Sequence, residues 1–459
     1  MKTVKNRRHL SKSQENITTV IRLEKKVKRV KIHIKMKKYT FLFCMFVLLQ
    51  GTMAQRILIV NGTAHIGNGE IVETAAIGID KGKILFVKNS LTNAIQRKDW
   101  DTIIDAENKH IYPGLVATNS TLGLTEIDAV RATRDFNDVG ELNPHVRAQV
   151  AFNVESKVIE TVRTNGVMIA QASPRGGIIS GSSATMFLSG WNWEDATVLA
   201  DDGIHLNWPS STQGGGWWAE PAPKSRNENY QKEKQAIIDF FDLAKVYAES
   251  QKSIEDLRLE AMKACFNGQK RVYFHADGMQ QILDIIEFSE RFKLKFPVIV
   301  GGYEAHLVGQ RLKDSKIPVM LNRIHSLPER EEDDVNLPYS LPFLLQKQGI
   351  LFCLQNAGDM EAMNTRNLPF QAGTAMAYGL TAEQALQSIS LSACKIIGID
   401  DEFGSLEQGK SATLFISKGP ALDMKSNDVT CLIFHGQLET AENFQWKLYQ
   451  KYKKKYQGK

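Results

Sequence analysis

From Arg56 the chain sets short apolar runs between glycine turns: RILIVNGTAHIGNGEIVETAAIGIDKGKILFVKNS. Runs of this length, broken at Asn-Gly, Gly-Asn-Gly and Lys-Gly-Lys, predict antiparallel β-hairpins. DTIIDAENKHIYPGLV continues the pattern up to the Pro-Gly break at Pro113. Beyond it the texture changes. Strand-like runs VMIAQA, RVYFHA, FPVIVGG, IPVMLN and ILFCLQ alternate with helix-like runs such as PHVRAQVAFNVESKVIETVRT and MQQILDIIEFSERFK. Strand followed by helix, repeated over some 280 residues, predicts parallel strands with helical crossovers closed into an α/β barrel. Two stretches read as long loops: 209–233, with Gly214–Gly216 and the pair Trp217–Trp218, and the proline- and acid-rich 328–342. After Asp400, GSLEQGKSATLFIS and DVTCLIFHGQLE return to short strands and glycine turns. The expectation is one small β-domain built from both chain ends. Its parts are 55–113 and 401–440, flanking a barrel over 114–400.

Length and composition agree with this plan. The 459 residues suffice for one large barrel and a smaller domain. Charge changes the picture only at the start. Residues 1–38 hold 14 Lys and Arg against two Glu, which leaves 43 basic and 49 acidic side chains from Gln55 onward. The body is mildly acidic and carries no nucleic-acid footprint. The 441–459 tail, with KLYQKYKKKYQGK, is basic and reads as a solvated terminal run.

MKKYTFLFCMFVLLQGTMAQ, Met36 to Gln55, has the layout of a secretory signal: two lysines, an apolar run over Phe41–Leu49, then a small-residue cleavage site. The run is well short of the roughly 20 residues that span a bilayer as a helix. Residues 1–54 are therefore expected to be a basic leader and signal, with translation starting at either Met1 or Met36. The mature chain is expected to be exported, periplasmic or secreted, without a stable membrane span. Cys265, Cys353, Cys394 and Cys431 are widely spaced and form no C-x-x-C pair.

Two segments carry a family resemblance. PGLVATNSTLGL, and RNLPFQAGTAMAYGLTAEQALQSISLSACKIIGIDDEFGSLEQGKSATLFI, resemble the amidohydrolase superfamily, most closely its imidazolonepropionase-like branch. PRGGIISGSSATMFLSG is similar to a loop of that branch. The resemblance implies an α/β fold, a (β/α)8 TIM-type barrel beside a composite β-sandwich. It also implies a hydrolase of non-peptide C–N bonds, in cyclic amides or related substrates, using zinc or another divalent metal to activate water.

That chemistry needs imidazoles and carboxylates at the C-terminal ends of the barrel strands, where they hold a metal that lowers the pKa of bound water towards 7. On the first strand the resemblance places the two histidines at Asn119 and Thr121, and an acid at Ala117. Neither Asn nor Thr is a good zinc ligand. The fifth-strand histidine is kept as His275. The sixth strand offers Gly301 or Gly302, with His306 too far along. The late-strand Asp falls near Gln355 or Asn356, and the nearest carboxylate is Asp359. A fourth-strand ligand falls near His205–Asn207, which has no Lys. One of about five positions survives, and a single His holds a metal poorly.

The site expected from the sequence is thus a binding mouth of Asn119, Thr121, His275, Gly301 and Asn356. His275 is its metal candidate and Asp359 its catalytic candidate. The metal is expected to be absent or weakly bound. The blander assignments are a hydrogen-bonding role for His275, solvated loop positions for Asp359 and Glu361, and surface or supporting positions behind the site for His306 and His325. Three functions stay open: a hydrolase with a rearranged site, a non-catalytic barrel that binds a small molecule, and a supporting subunit. The last would form a homo- or hetero-oligomer with a related barrel.

Overall fold

The computed structural model describes residues 55–217, 220–250, 255–358 and 360–457, side chains 215–224 excepted. The signal segment, Trp218 and Asp359 lie outside the described residues.

The N-terminal runs form β1 (Ile57–His65), β2 (Ile71–Asp80), β3 (Lys83–Asn89), β4 (Thr102–Asp105) and β5 (His110–Pro113). β1, β2 and β3 are successive antiparallel neighbours. The β2–β3 turn is Lys81-Gly82 with φ of 50° and 76°. This two-residue turn, left-handed at both positions, matches the right-handed twist of the strands it joins.

Eight strands of a second sheet follow: β6 (Leu115–Ser120), β7 (Val167–Ala172), β8 (Ile179–Phe187) and β9 (Thr197–Asn207), then, beyond a hairpin of β10 (Thr212–Trp217) and β11 (Glu220–Arg226), β12 (Arg271–Ala276), β13 (Pro297–Gly301), β14 (Val319–Leu321) and β15 (Phe352–Leu354). A parallel bridge from Thr118 to Gln355 joins the first of these strands to the last and closes the barrel. The helix Met279–Phe292 shows how the crossovers pack. Ile282, Ile285, Ile286 and Phe292 are buried at helical spacing, and Lys293 ends the helix in a left-handed cap.

The chain then returns to the first sheet through β16 (Leu414–Ser417), β17 (Val429–Phe434) and β18 (Gln437–Glu439). β16 pairs antiparallel with β5, Leu414 opposite Pro113. Ile57, Ile59, Ile77 and Ile111 from the early strands share one core with Leu414, Ile416 and Ile433 from the late ones. Each such side chain stabilises the domain by about 1.5–3 kcal/mol when fully buried.

Four expectations change. The barrel has eight strands, but β8 runs antiparallel to both β7 and β9, so a β-hairpin replaces one strand–helix unit. The helix expected over 144–164 is confined to Lys157–Arg163, where the Ser156 hydroxyl accepts the Val158 N–H. Ahead of it Ala148–Ala151 forms only a 3-10 turn, and the Phe152 ring packs against Gly123. The 209–233 loop contains the β10–β11 hairpin and the start of a helix at Tyr230. The 328–342 loop runs into a helix from Leu337, with Pro338 in the first turn, where a missing N–H costs nothing.

Candidate active site and its hydrogen-bonded belt

The barrel mouth opens into a cavity of about 780 Å³, and Asn119, Thr121 and His275 line it together. Gly301 and Asn356 stand apart from that lining. Gly301 turns the end of β13 at φ 115°, and Asn356 Oδ1 accepts from Gln371 Nε2. His306 is half-buried and His325 exposed, and both are bonded elsewhere, to the Tyr303 carbonyl and the Thr374 hydroxyl.

Asn119 ends β6 in the left-handed region, φ 48°, a conformation Asn tolerates better than most residues. A register shift between Ala117 and Ser120 accompanies it. The regular i, i+2 projection that would aim two side chains at one metal is therefore broken at this strand end.

Amide side chains occupy the mouth. Asn119 Nδ2 donates to Gln355 Oε1 at 2.7 Å. Gln355 Nε2 donates to the Met320 carbonyl and to Asn322 Oδ1, both at 3.1 Å. Asn322 Nδ2 then donates to Asp277 Oδ1 at 2.8 Å. On the other side the Asn119 N–H donates to Gln171 Oε1 at 3.0 Å, and Gln171 Nε2 reaches both oxygens of Asp202 at 3.2 Å. This belt links the ends or interiors of β12, β14, β15, β6, β7 and β9. Asp202 is buried and also accepts from the Ser183 and Thr185 hydroxyls; burial raises its pKa.

His275 is bonded to a second imidazole. Its Nε2 lies 2.9 Å from Nδ1 of His205, a fully buried residue whose other nitrogen has no partner among the described residues. Burial, reinforced by the Arg175 charge, drops the His275 pKa to about 3, and burial, with His275 and Arg175, lowers that of His205 as well. Both rings are neutral at physiological pH and share one proton between the facing nitrogens. Arg175 reaches over the mouth from the PRGGIISG loop. It donates to the Asn119 carbonyl at 2.9 Å and pairs with Glu361 at 3.0 Å. Asn119 Oδ1 and Thr121 Oγ1 are buried with no partner among the described residues.

A family-type divalent metal does not fit these donors. Of the expected positions, two are amides bonded to each other, one is a threonine and one a glycine, and the one kept imidazole spends Nε2 on His205. Among the described residues no group of three or more His, Cys, Asp or Glu is placed to share an ion. Sequence reasoning singled out Asn119, Thr121 and His275. It passed over Arg175, Gln171, Asp202 and Asn322, and it noted His205 only for lacking a Lys. The buried polar runs of β8 and β9 were the available signal, since polar side chains inside a barrel need partners.

Residues 344–438 match the family model of the amidohydrolase family. Over that segment the chain is similar to the amidohydrolase family. Among curated proteins it is 20% identical over 408 residues to "Amidohydrolase tasK" of Hapsidospora irregularis, covering 80% of this chain and 41% of that relative. The chain thus spans less than half of that relative's length. Among solved structures, an amidohydrolase from Thermotoga maritima superposes with a TM-score of 0.72 at 24% identity, covering 83% of this chain and 99% of its own. A Xaa-Pro dipeptidase with bound methionine gives 0.53 at 15% identity, over 84% of this chain and all of its own. Both likenesses are of fold.

Proposed function

We propose that this barrel binds a small polar molecule at its mouth and has little or no metal-dependent hydrolytic activity. The Asn119–Gln355 hydrogen bond carries the reading, because it fills the space where first- and last-strand ligands would face a metal. Water at such a mouth keeps close to its bulk pKa and is a poor nucleophile at neutral pH. His275, with a pKa of about 3, is too weak a base to replace the metal by taking a proton near pH 7. What the mouth retains is recognition. The unpartnered Asn119 Oδ1 can accept, the Thr121 hydroxyl can donate or accept, and Arg175 closes one side.

A second reading makes the protein a supporting subunit beside a related, histidine-bearing barrel. It is favoured by the length of the curated relative, which exceeds twice the matched segment and leaves room for a second unit of this size. Export belongs to the same proposal, on the Lys-Lys, apolar run and Thr-Met-Ala order of residues 36–55. N-terminal sequencing of the mature protein should find a start within a few residues of Gln55, and a retained Met1 would remove that part.

Metal content after dialysis, together with a panel of cyclic amides and Xaa-Pro dipeptides, tests the central claim. The expected result is less than one tightly held zinc per chain and no turnover above background. A stoichiometric metal whose removal abolishes C–N hydrolysis, and whose return restores it, would overturn the reading. Co-purification with a histidine-bearing barrel would favour the subunit reading over a free-standing binder.

A further inference from the structure

The opposite end of the barrel holds a second hollow, of about 500 Å³, where the strands begin. Arg271 opens β12 and Pro297 opens β13 there. Five cations line it, Arg271, Lys293, Lys295, Lys316 and Lys395, against one acid, Glu290. None of the five is ion-paired with a carboxylate among the described residues. We propose that this hollow is a binding site for a small organic phosphate, a dianion joined to an apolar group.

The alternative explanation is that the lysines offset helix dipoles. Lys293 and Lys316 are the caps that end the helices Met279–Phe292 and Gly309–Ser315, and Lys395 lies in the last turn of Leu391–Ile397. A helix C-terminus carries about half a negative charge, so three of them ask for roughly one and a half positive charges. Five cations and one acid give a net of four positive charges. The excess of about two and a half matches a phosphate dianion. It also stands on a chain with six more acidic than basic residues from Gln55 onward, so the cluster is not a general surface property.

Ser289 is the independent observation. It is 5% exposed, lines the hollow, and its Oγ has no hydrogen-bond partner among the described residues. A buried hydroxyl left unpaired is destabilising, and a phosphate oxygen would satisfy it. The remaining wall is apolar. Phe296 is partly exposed, its ring flanked by Arg271 at 5.1 Å and Lys295 at 5.2 Å, with Ile286 and Leu294 beside it. Cations around an aromatic face suit a ligand that joins a phosphate to a ring or short acyl group.

Isothermal titration of the full chain with phenyl phosphate at low salt tests this, with phenol and inorganic phosphate as partial probes. Saturable binding of one phenyl phosphate per chain is expected, tighter than either partial probe. The triple variant Lys295→Gln/Lys316→Gln/Lys395→Gln should weaken it by about tenfold or more, because three exposed cations are lost together. Ser289→Ala should weaken it without changing the salt dependence. These lysines are exposed, and circular dichroism verifies that the variant folds. No saturable binding, equal affinity in the triple variant, or affinity no greater than that for inorganic phosphate would each overturn the proposal.

Discussion

His205 Nδ1 and His275 Nε2 face each other at 2.9 Å in the barrel, one imidazole from β9 and one from β12. His275, the residue that the sequence suggested as a metal candidate, is thus a hydrogen-bonding partner of a second neutral ring. Its pKa is depressed in the folded state, so below pH 6.5 the unfolded chain binds more protons at these two sites than the folded one. Stability should be level with respect to them above about pH 7 and fall as pH drops, approaching about 1.4 kcal/mol per pH unit for each histidine. For His275 the window runs from 6.5 down to about 3. Asp202 opposes this, because its raised pKa stabilises the folded state as pH falls through its own window. One carboxyl does not cancel two histidines. Urea unfolding midpoints at pH 7.5 and 5.5 should therefore differ in the wild type, and less so in His275→Gln. Equal midpoints would show that the pair is not buried and neutral.

The belt makes a prediction about chelators. Gln355 bonds Asn119, Asn322 and the Met320 carbonyl, tying the last barrel strand to the first without a metal. Gln355→Ala strands the Asn119 amide in a buried site and should cost about 1–3 kcal/mol. Overnight dialysis against EDTA should leave the thermal midpoint of the wild type unchanged. A drop of several degrees on chelation would show that a metal is part of the fold.

Asp202 separates charge from hydrogen bonding. It accepts from Gln171, Ser183 and Thr185 inside the barrel. Asp202→Ala removes the shared acceptor of three buried donors, leaving Gln171 and Ser183 only longer bonds to Ser183 and the Gly203 carbonyl, and should cost about 1–3 kcal/mol. Asp202→Asn keeps one acceptor oxygen and should cost distinctly less, a difference readable from chemical denaturation of the two variants side by side.

Gly301 is fixed by geometry. At φ 115° an added Cβ would sit 2.6 Å from Asp277 Oδ1, the oxygen that anchors Asn322. Gly301→Ala should destabilise the protein by about 1–3 kcal/mol through backbone strain alone, with the broken Asp277–Asn322 contact adding to it. A neutral Gly301→Ala would mean that the β13 turn has a second conformation.

The sequence by itself determined the elements and their order. The 3.6-residue spacing of Ile282, Ile285, Ile286 and Phe292 required a helix, and the Lys81-Gly82 pair between β-runs required a tight hairpin. These are local properties, set by side-chain period and backbone sterics within a few residues. The return of short β-runs after Asp400 also signalled a domain built from both ends. Sequence showed, too, that ligands expected at the strand ends were missing. It could not show what replaced them. Gln355 meets Asn119 across a separation of 236 residues, and His205 meets His275 across 70. A hydrogen bond depends on distances of a few tenths of an ångström between side chains that only the closed barrel brings together. The reversed direction of β8 was equally hidden, because an antiparallel and a parallel strand with both faces covered carry the same unbroken buried pattern, here seen in Ile179–Met186. Tertiary structure decided which amides pair across the barrel interior, since buried donors mostly find acceptors wherever the fold places them.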